Sequence, residues 1–320
     1  MAELMFEKWS GTINTVSIGA TKEEGGTRSR VIKVGGQKTL PFLFAEGALP
    51  QKSIVAFEVW DTPPLDWPKH LTDAYGDCLK DPLRWAEKCV KDFKAQLICL
   101  RLQGAHPDFG NKSPEQEAKL IVDILKKVDV PLIILGCGDD AKDNAVLPAC
   151  SQASKGERCL IGDAVQDSYK TLTVALLADG HNLIAESPID INIAKQLNIL
   201  ISDMGLPLER IVINPTIGAL GYGLEYAYSI MERCRLAALA GDKTVASPFI
   251  CFVGQEAWRA KEARATGQEF PEWGAEQNRG IIWEVITATA LLQAGADILV
   301  MRHPEAIEKI NKYMDNLYKK

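Results

Sequence analysis

The residue types that carry nucleophilic or metal chemistry are few in this sequence and are not spaced for it. The four histidines are His70, His106, His181 and His303. No pair of them has the H-E-x-x-H spacing of a zinc site, and no serine lies in a G-x-S-x-G turn. His181 follows Gly180 at a helix end, where we expect it to satisfy the helix C-terminus. His303 opens the last helix, where a structural role is favoured over a ligand contact.

The eight cysteines are also unsuited to a metal site. They are Cys78, Cys89, Cys99, Cys137, Cys150, Cys159, Cys234 and Cys251. None forms a C-x-x-C pair, whereas zinc sites and iron–sulfur clusters need closely spaced thiolates. We therefore expect buried free thiols in a reducing compartment and no cluster on this chain. Cys137 is the one cysteine singled out for a possible other role, because it directly follows a predicted strand.

Carboxylates follow several apolar runs and could support acid–base catalysis in principle. They are Glu58, Asp61, Asp139, Asp163 and Glu186. Nothing in their spacing assigns two of them to one reaction. Asp61 is expected to cap the loop 62–64 instead.

A glycine-rich run, residues 218–223, could contact a ligand or simply turn the chain into a helix. It has three glycines with Tyr222 between the last two. The Lys-Ser/Thr ending of a phosphate-binding P-loop is absent, so that specific interpretation fails.

These residues are positioned by an alternation of strands and helices. Eight short apolar runs, most of them continuous and therefore typical of strands buried on both faces, are predicted as strands: Ile54–Trp60, Leu97–Leu102, Leu132–Leu135, Cys159–Ile161, Asn182–Ala185, Ile211–Asn214, Phe249–Val253 and Ile298–Met301. The predicted helices are Leu83–Lys94, Pro114–Val128, Ala141–Ser154, Tyr169–Ala178, Ile191–Met204, Leu224–Leu239, Ile281–Ala294 and Pro304–Tyr318.

Eight strand–helix repeats at this length predict an α/β protein with a (β/α)8 TIM barrel over residues 51–320. Residues 1–50 form an N-terminal extension with a β-hairpin, in which Thr15–Gly19 pairs with Val31–Val34, at the bottom of the barrel or reaching towards a partner. The segment 264–279 is a long insertion with an aromatic loop. A Rossmann dinucleotide site is unsupported, because no G-x-G-x-x-G follows the first strand.

Composition excludes several other classes. The 320 residues carry a net charge of −6, which disfavours generic nucleic-acid binding. No apolar run is long enough for a membrane helix, and residues 1–9 lack the order of a signal peptide. We expect a cytoplasmic protein.

In such barrels, ligands bind where strands end. This rim is small and polar, which suits close approach by a flat or bulky ligand. Composition and spacing do not name that ligand.

Several unbroken stretches resemble one known family, the small subunit of the corrinoid iron–sulfur protein, which is the delta-type subunit of acetyl-CoA decarbonylase/synthase. The stretches are Gly19–Lys22, Gly25–Ser29, Ser187–Asn192, Lys195–Leu200, Gly218–Tyr226, Ser229–Arg233, Glu256–Glu262, Thr287–Ala296 and Met301–Ala306. The resemblance extends over essentially the whole chain without a large gap.

This resemblance implies a (β/α)8 barrel that pairs with a larger subunit, which carries a [4Fe–4S] cluster and a cobalamin-binding domain. The heterodimer would carry a methyl group in the reductive acetyl-CoA (Wood–Ljungdahl) pathway of an anaerobe. Its further partners would be a methyltetrahydrofolate methyltransferase and acetyl-CoA synthase. The cobalamin would lie between the two subunits, so this chain would be a methyl-carrier subunit rather than a stand-alone catalyst.

Rim position together with these stretches predicts the corrinoid contacts. The first choices are Asn192, Asn214, Thr216, Gly218, Gly221, Tyr222 and Gly254, and the second choices are Arg302 and His303. No residue is predicted to be catalytic or to bind a metal.

Two other functions stay open. The chain could be an autonomous pterin-binding methyltransferase barrel, with Asp139, Asn192 and Asn214 on the pterin, or a purely structural docking barrel. The aromatic residues Trp258, Phe270, Trp273 and Trp283 in and around the insertion favour a partner interface, although Trp283 could equally pack in the outer helix layer.

Overall fold

A computed structural model describes residues 6–319. The first residues of the segment tested for a signal peptide therefore lie outside the described part of the chain. The strands are β1 Thr15–Ile18, β2 Ile32–Gly35, β3 Ile54–Trp60, β4 Ile98–Arg101, β5 Leu132–Leu135, β6 Leu160–Ala164, β7 Asn182–Glu186, β8 Ile211–Asn214, β9 Ile250–Cys251 and β10 Ile298–Met301.

Strands β3 to β10 form one parallel sheet that closes into a barrel. Their order is β8-β7-β6-β5-β4-β3-β10-β9, and a parallel bridge between Ile213 and Phe249 joins the two ends. The predicted (β/α)8 barrel is confirmed. Six of the eight predicted strands agree with the structure to within one residue at either end. The other two differ more, because β6 runs on to Ala164 and β9 is only two residues long.

Helices follow the strands around the outside of the barrel. They are α1 Lys69–Thr72, α2 Pro82–Lys91, α3 Pro114–Lys127, α4 Asp140–Ala153, α5 Tyr169–Asp179, α6 Ile191–Asp203, α7 Leu224–Leu239, α8 Val253–Ala257, α9 Lys261–Arg264, α10 Glu276–Gln293 and α11 Pro304–Leu317. Side-chain caps fix several starts. Ser113 and Gln116 form a reciprocal capping box on α3, and Asp190 accepts the Asn192 N–H at the start of α6.

The seventh predicted strand is wrong at its C-terminal end. Residues Phe249–Val253 are continuously apolar, but helix α8 begins at Val253. A short apolar run does not distinguish a buried strand from a buried helix turn, so periodicity could not place this boundary. Gly254 therefore lies inside a helix and not on a loop after the strand.

The predicted N-terminal hairpin is present and closes the bottom of the barrel. Strands β1 and β2 pair antiparallel with Val16 opposite Val34. Their buried side chains join the inward-facing residues of the barrel strands in one apolar cluster. Arg28, in the connection between β1 and β2, donates to Glu157 Oε2 at 2.7 Å and to the Val128 carbonyl at 2.6 Å. Hairpin and barrel thus share one core.

None of the helices among residues 6–319 combines the length and the apolar character that a membrane span needs.

Candidate binding face at the carboxyl ends of the strands

A buried ion network occupies one half of the face formed by the carboxyl ends of the strands. Glu58 on β3 is fully buried and accepts from Arg101 Nε at 2.8 Å and Arg302 Nε at 2.7 Å. It also accepts from Trp60 Nε1 at 2.8 Å. Burial opposes ionisation, but the two guanidinium groups outweigh it and lower the pKa of Glu58 to about 2. The carboxylate is therefore ionised at neutral pH.

The same network holds Arg302 inside the protein. Its guanidinium carbon lies 4.8 Å from the ring centroid of Trp67 and 5.4 Å from that of Trp60. With both a carboxylate and aromatic faces as partners, this side chain is only 4% exposed. The guanidinium of Arg302, which is predicted to contact the ligand, is therefore already bound to Glu58 and packed against two tryptophan rings.

A second buried carboxylate anchors the chain where β10 leads into α11. Glu284 on α10 accepts from the Arg302 N–H at 2.6 Å, from the His303 N–H at 3.1 Å and from Trp258 Nε1 at 2.9 Å. Burial raises the pKa of Glu284 to about 7. A Cβ at Gly254 would lie 2.7 Å from Arg302 Cγ, so this glycine permits the close packing of α8 on that strand end.

His303 has the structural role that the sequence favours. Its Nδ1 accepts the Glu305 N–H at 3.2 Å and so caps α11. The ring stacks on Trp258 with centroids 5.8 Å apart. Burial lowers the pKa of His303 to about 4, so the imidazole is neutral at physiological pH.

A polar group of different character lies across the face, on β6 to β8. Asn214, at the end of β8, accepts the Thr216 N–H at 3.1 Å, and the Thr216 hydroxyl donates to Glu186 Oε1 at 3.3 Å. Asp163 on β6 has a buried Oδ1 with no hydrogen-bond partner among residues 6–319. Burial and the nearby Glu186 raise the pKa of Asp163 well above its usual range, and burial also raises the pKa of Glu186. Both carboxyl groups are therefore easier to protonate than exposed ones, although the nearby Arg101 guanidinium opposes this shift.

The backbone at Thr216 carries a feature that the sequence did not reveal. Its φ of 53° lies in the left-handed region, which is unusual for a β-branched residue. Such strained positions concentrate at functional sites. The two hydrogen bonds to Asn214 and Glu186 hold Thr216 there.

The glycine-rich run after β8 forms an exposed loop beside this group. Tyr222 is 50% exposed, and its hydroxyl donates to Glu262 Oε2 at 2.9 Å while accepting the Lys261 N–H at 3.1 Å. A Cβ at Gly218 would lie 2.2 Å from the Tyr222 carbonyl oxygen, so the turn requires glycine there. Gly221 has φ +77° and open space beside it. Asn192 lies exposed in the first turn of α6.

The structure thus separates the nine predicted contact residues into two sets. Asn192 and residues 214–222 lie on the partly open side of the face, after β7 and β8, where Asn192 and Tyr222 are exposed but Asn214 is only 5% exposed. Gly254, Arg302 and His303 lie in the buried network after β9 and β10. The pairing of Glu58 with two arginines, the anchor Glu284 and the unpartnered Asp163 oxygen were not found from the sequence.

Two further side chains differ from their predicted roles. Asp61 does not simply cap the loop 62–64, because it accepts the Gly104 N–H at 2.7 Å and pairs with Lys112 at 2.7 Å. His181 binds the end of the preceding helix, α4, through a 2.9 Å contact between Nε2 and the Ser151 carbonyl. Its backbone N–H nevertheless donates to the Leu176 carbonyl at 3.0 Å, so His181 satisfies the end of its own helix as predicted, although its imidazole does not.

All eight cysteines are buried and unpaired, as expected. Burial raises the pKa of Cys137 to about 12, so this thiol is not activated. Within the described residues, no group of three or more histidine, cysteine or acidic side chains is arranged to hold a metal ion.

The aromatic insertion lies beside α10, and one of its four predicted interface residues is buried. Trp258 is 2% exposed and cannot contribute to a surface. Trp273 is 37% exposed and stacks on Phe270 with centroids 3.9 Å apart. Trp283 is partly buried and donates to the Leu220 carbonyl at 3.1 Å. Trp273 and Trp283 line a cavity of about 440 Å³.

Comparison with known proteins identifies the family. A family model described as CO dehydrogenase/acetyl-CoA synthase delta subunit matches residues 15–318. The chain belongs to this delta-subunit family. The delta subunit of the acetyl-CoA decarbonylase/synthase complex from Methanocaldococcus jannaschii is 37% identical over 96% of this chain and 74% of its own length. The corresponding subunit from Archaeoglobus fulgidus is 35% identical over 97% of this chain and 70% of its own length.

Solved structures support the fold of this delta-family chain. A dihydropteroate synthase from Coxiella burnetii aligns with a TM-score of 0.56 at 13% identity, covering 87% of this chain and 97% of that protein. The enzyme from Xanthomonas albilineans gives a TM-score of 0.56 at 12% identity, covering 88% and 100%. At such low identity the likeness shows the barrel architecture alone.

Proposed function

We propose that this chain is the small subunit of a heterodimeric corrinoid iron–sulfur methyl carrier and that it binds and shields a cobalamin shared with the large subunit. The observation that carries the proposal is family membership over residues 15–318. When bound, the corrinoid supplies a cobalt centre for methyl transfer from methyltetrahydrofolate, through a methyltransferase, to acetyl-CoA synthase. The [4Fe–4S] cluster is assigned to the large subunit.

The open side of the binding face fits such a group. A corrin ring has an apolar body edged with amide side chains, which need hydrogen-bond partners without a fixed charge. Asp163 Oδ1 is a buried polar atom that has no hydrogen-bond partner in the described part of the chain. Tyr222 offers an exposed aromatic face, and the space beside Gly221 is open. Ile189, 42% exposed, adds apolar surface on the neighbouring loop.

The residues of this chain would position the cofactor and exclude water. Asn192, Asn214 and Thr216 offer neutral polar side chains, while the turn 218–222 allows close approach by its backbone. The ion network around Glu58 and the anchor Glu284 tie the strand ends together on the opposite side of the face. We assign Gly254, Arg302 and His303 to that supporting side of the face.

An Asn214→Ala variant tests the assignment. Purified with the large subunit, it is expected to retain several-fold less cobalamin, because it loses an amide and releases the Thr216 N–H. Cobalamin content is measured by absorbance and metal analysis. Asn316→Ala, at the exposed end of α11, is the control and should load normally.

Unchanged cobalamin content and methyl-transfer rate in Asn214→Ala would contradict the assignment. The rival pterin-binding function is tested on the isolated chain with methyltetrahydrofolate and free cobalamin. Demethylation at an enzymatic rate would replace the carrier role with that of an autonomous methyltransferase.

The aromatic surface formed by the exposed Trp273 and the partly buried Phe270 and Trp283 is proposed to contact the large subunit. Aromatic side chains at the centre of an interface carry much of its binding energy. Size-exclusion chromatography of both subunits is expected to give one heterodimer peak, and Trp273→Ala should weaken assembly about tenfold or more. Phe44→Ala, an exposed aromatic at the other end of the barrel, should assemble normally. Equal assembly by both variants would exclude this surface.

A further inference from the structure

A groove lies at the bottom of the barrel, away from the face assigned to the corrinoid. Its volume is about 530 Å³, within the size range of ligand clefts. One wall is residues 30–33 of the hairpin, and the other is residues 51–55, which lead into β3. The loop 93–96 and the end of α11 complete it. Nothing in the proposed methyl-carrier function uses this groove.

One wall of the groove is a strand with an open edge. Strand β2 belongs to a two-stranded sheet and pairs with β1 alone, so its other edge has no strand partner among residues 6–319. An unpaired edge presents backbone N–H and C=O groups that can pair with another chain. Addition of an extended segment to such an edge is a recurring mode of peptide recognition.

The groove is strongly basic although the chain as a whole is acidic. Arg30, Lys33, Lys52 and Lys94 line it, against the single carboxylate of Asp315. The whole chain has a net charge of −6. Natural edge strands often carry lysine to discourage pairing with identical copies. The same charges attract an acidic strand and steer its encounter.

Of these four cations, Arg30 and Lys33 are available to a ligand. The other two are engaged, because Lys52 pairs with Asp315 and Lys94 Nζ donates to the Lys91 carbonyl at 2.6 Å. Arg30 and Lys33 are exposed, and neither has a carboxylate within 4.0 Å in the described part of the chain. Lys33 lies in β2 and Arg30 lies two residues before the strand begins, so both are near the start of the edge along which an incoming strand would run.

The groove also has apolar walls. Ile54, Val55, Phe57 and Met314 line it together with Phe93, whose ring stacks on Phe57 with centroids 5.9 Å apart. Side chains of a strand alternate between its two faces. A strand with acidic residues on one face and apolar residues on the other would therefore satisfy both the cations and the apolar walls.

We infer that the open edge of β2 binds an acidic, extended segment of a partner protein, which adds to the hairpin as a third strand. The segment pairs with β2 through its backbone and places its carboxylates beside Arg30 and Lys33. This site lies at the opposite end of the barrel from the corrinoid face, so it can be occupied together with it.

Fluorescence anisotropy with a labelled acetyl-Glu-Val-Glu-Val-Glu-Val-amide peptide tests the inference on the full chain, without corrinoid. Binding should saturate and weaken with salt. The double variant Arg30→Glu/Lys33→Glu should lose at least about tenfold in affinity. The control Lys119→Glu/Lys170→Glu makes the same change in net charge at exposed positions on α3 and α5, and should bind as the unmodified chain does.

A peptide N-methylated at every peptide bond keeps its charges but loses its backbone donors, and it should not bind measurably. Equal binding of the N-methylated peptide would overturn strand addition. Equal loss of affinity in the two double variants would mean that peptide binding depends only on the net charge of the protein, and it would also overturn the proposed site. Absence of saturable peptide binding would do the same. Circular dichroism checks that each variant is folded, and cobalamin loading in the heterodimer is expected to be unaffected.

Discussion

Replacing Glu58 with glutamine is expected to lower the free energy of unfolding by about 3–5 kcal/mol, the usual cost of removing one partner from a buried ion pair. Glu58 is fully buried between Arg101 and Arg302. The Glu58→Gln variant keeps the shape of the side chain but leaves two guanidinium groups without their counter-charge. The position is therefore among the most sensitive in the barrel.

Urea unfolding followed by circular dichroism measures the change. Glu308→Gln removes an exposed partner of Lys312, a pair at the surface of α11, and is the matched control. It should alter stability by a small fraction of the Glu58 effect, because exposed pairs contribute little. Similar effects of the two substitutions would contradict the assigned importance of the network.

Acid titration gives a second signature of the same carboxylate. The pKa of Glu58 falls from 4.5 to about 2 in the folded protein. A depressed pKa means that the unfolded chain binds the proton more readily. The contribution of Glu58 to stability is then complete above about pH 4.5 and is lost as the pH falls towards 2. The wild-type protein should show this acid destabilisation, and Glu58→Gln should lack that part of it. The titration of Glu284, with a pKa raised from 4.5 to about 7, lies above this window.

A Gly218→Ala substitution is expected to lower the cobalamin affinity of the heterodimer about tenfold or more, which corresponds to about 1.4 kcal/mol. The new Cβ would lie 2.2 Å from the Tyr222 carbonyl oxygen, so the backbone of the turn must open. Tyr222 and the loop beside Asn214 would then move together. The prediction depends on the proposed corrinoid contact, and equilibrium loading of the apo-heterodimer measures it.

Gly11→Ala is a close control for this substitution. Its Cβ would lie 2.0 Å from the Ala238 carbonyl oxygen, a similar backbone overlap, near the other end of the barrel. Both variants are expected to lose stability, but Gly218→Ala alone should lose cobalamin. Normal loading by Gly218→Ala, or equal loss by both, would remove the turn from the cofactor site.

The barrel was predictable because its signal is local. Continuous runs such as Ile54–Trp60 and Leu132–Leu135 are strands of a doubly covered parallel sheet, and their bounds agree with the structure. The boundary at Val253 failed, because an apolar run at the end of a buried strand continues into a buried helix without any change in residue type.

The site was less predictable because its contacts are distant in sequence. Glu58 meets Arg302 across 244 positions, and no local pattern pairs a carboxylate with one arginine out of many. Trp258 was assigned to a surface by residue type, but the chain turns it inwards onto Glu284. The left-handed backbone at Thr216 could not be predicted from its residue type either, because β-branched residues rarely adopt this conformation. The resemblance to a known family supplied what local patterns could not.

The hairpin beneath the barrel covers the lower end of a packed apolar interior. Val16 and Val34 of the hairpin are buried against strand residues such as Ala56 and Val300, which seals the lower end. Side chains fill the middle of the barrel, so a ligand can reach the binding face only from the upper side. A partner that covers that face would therefore control both entry and release of the ligand.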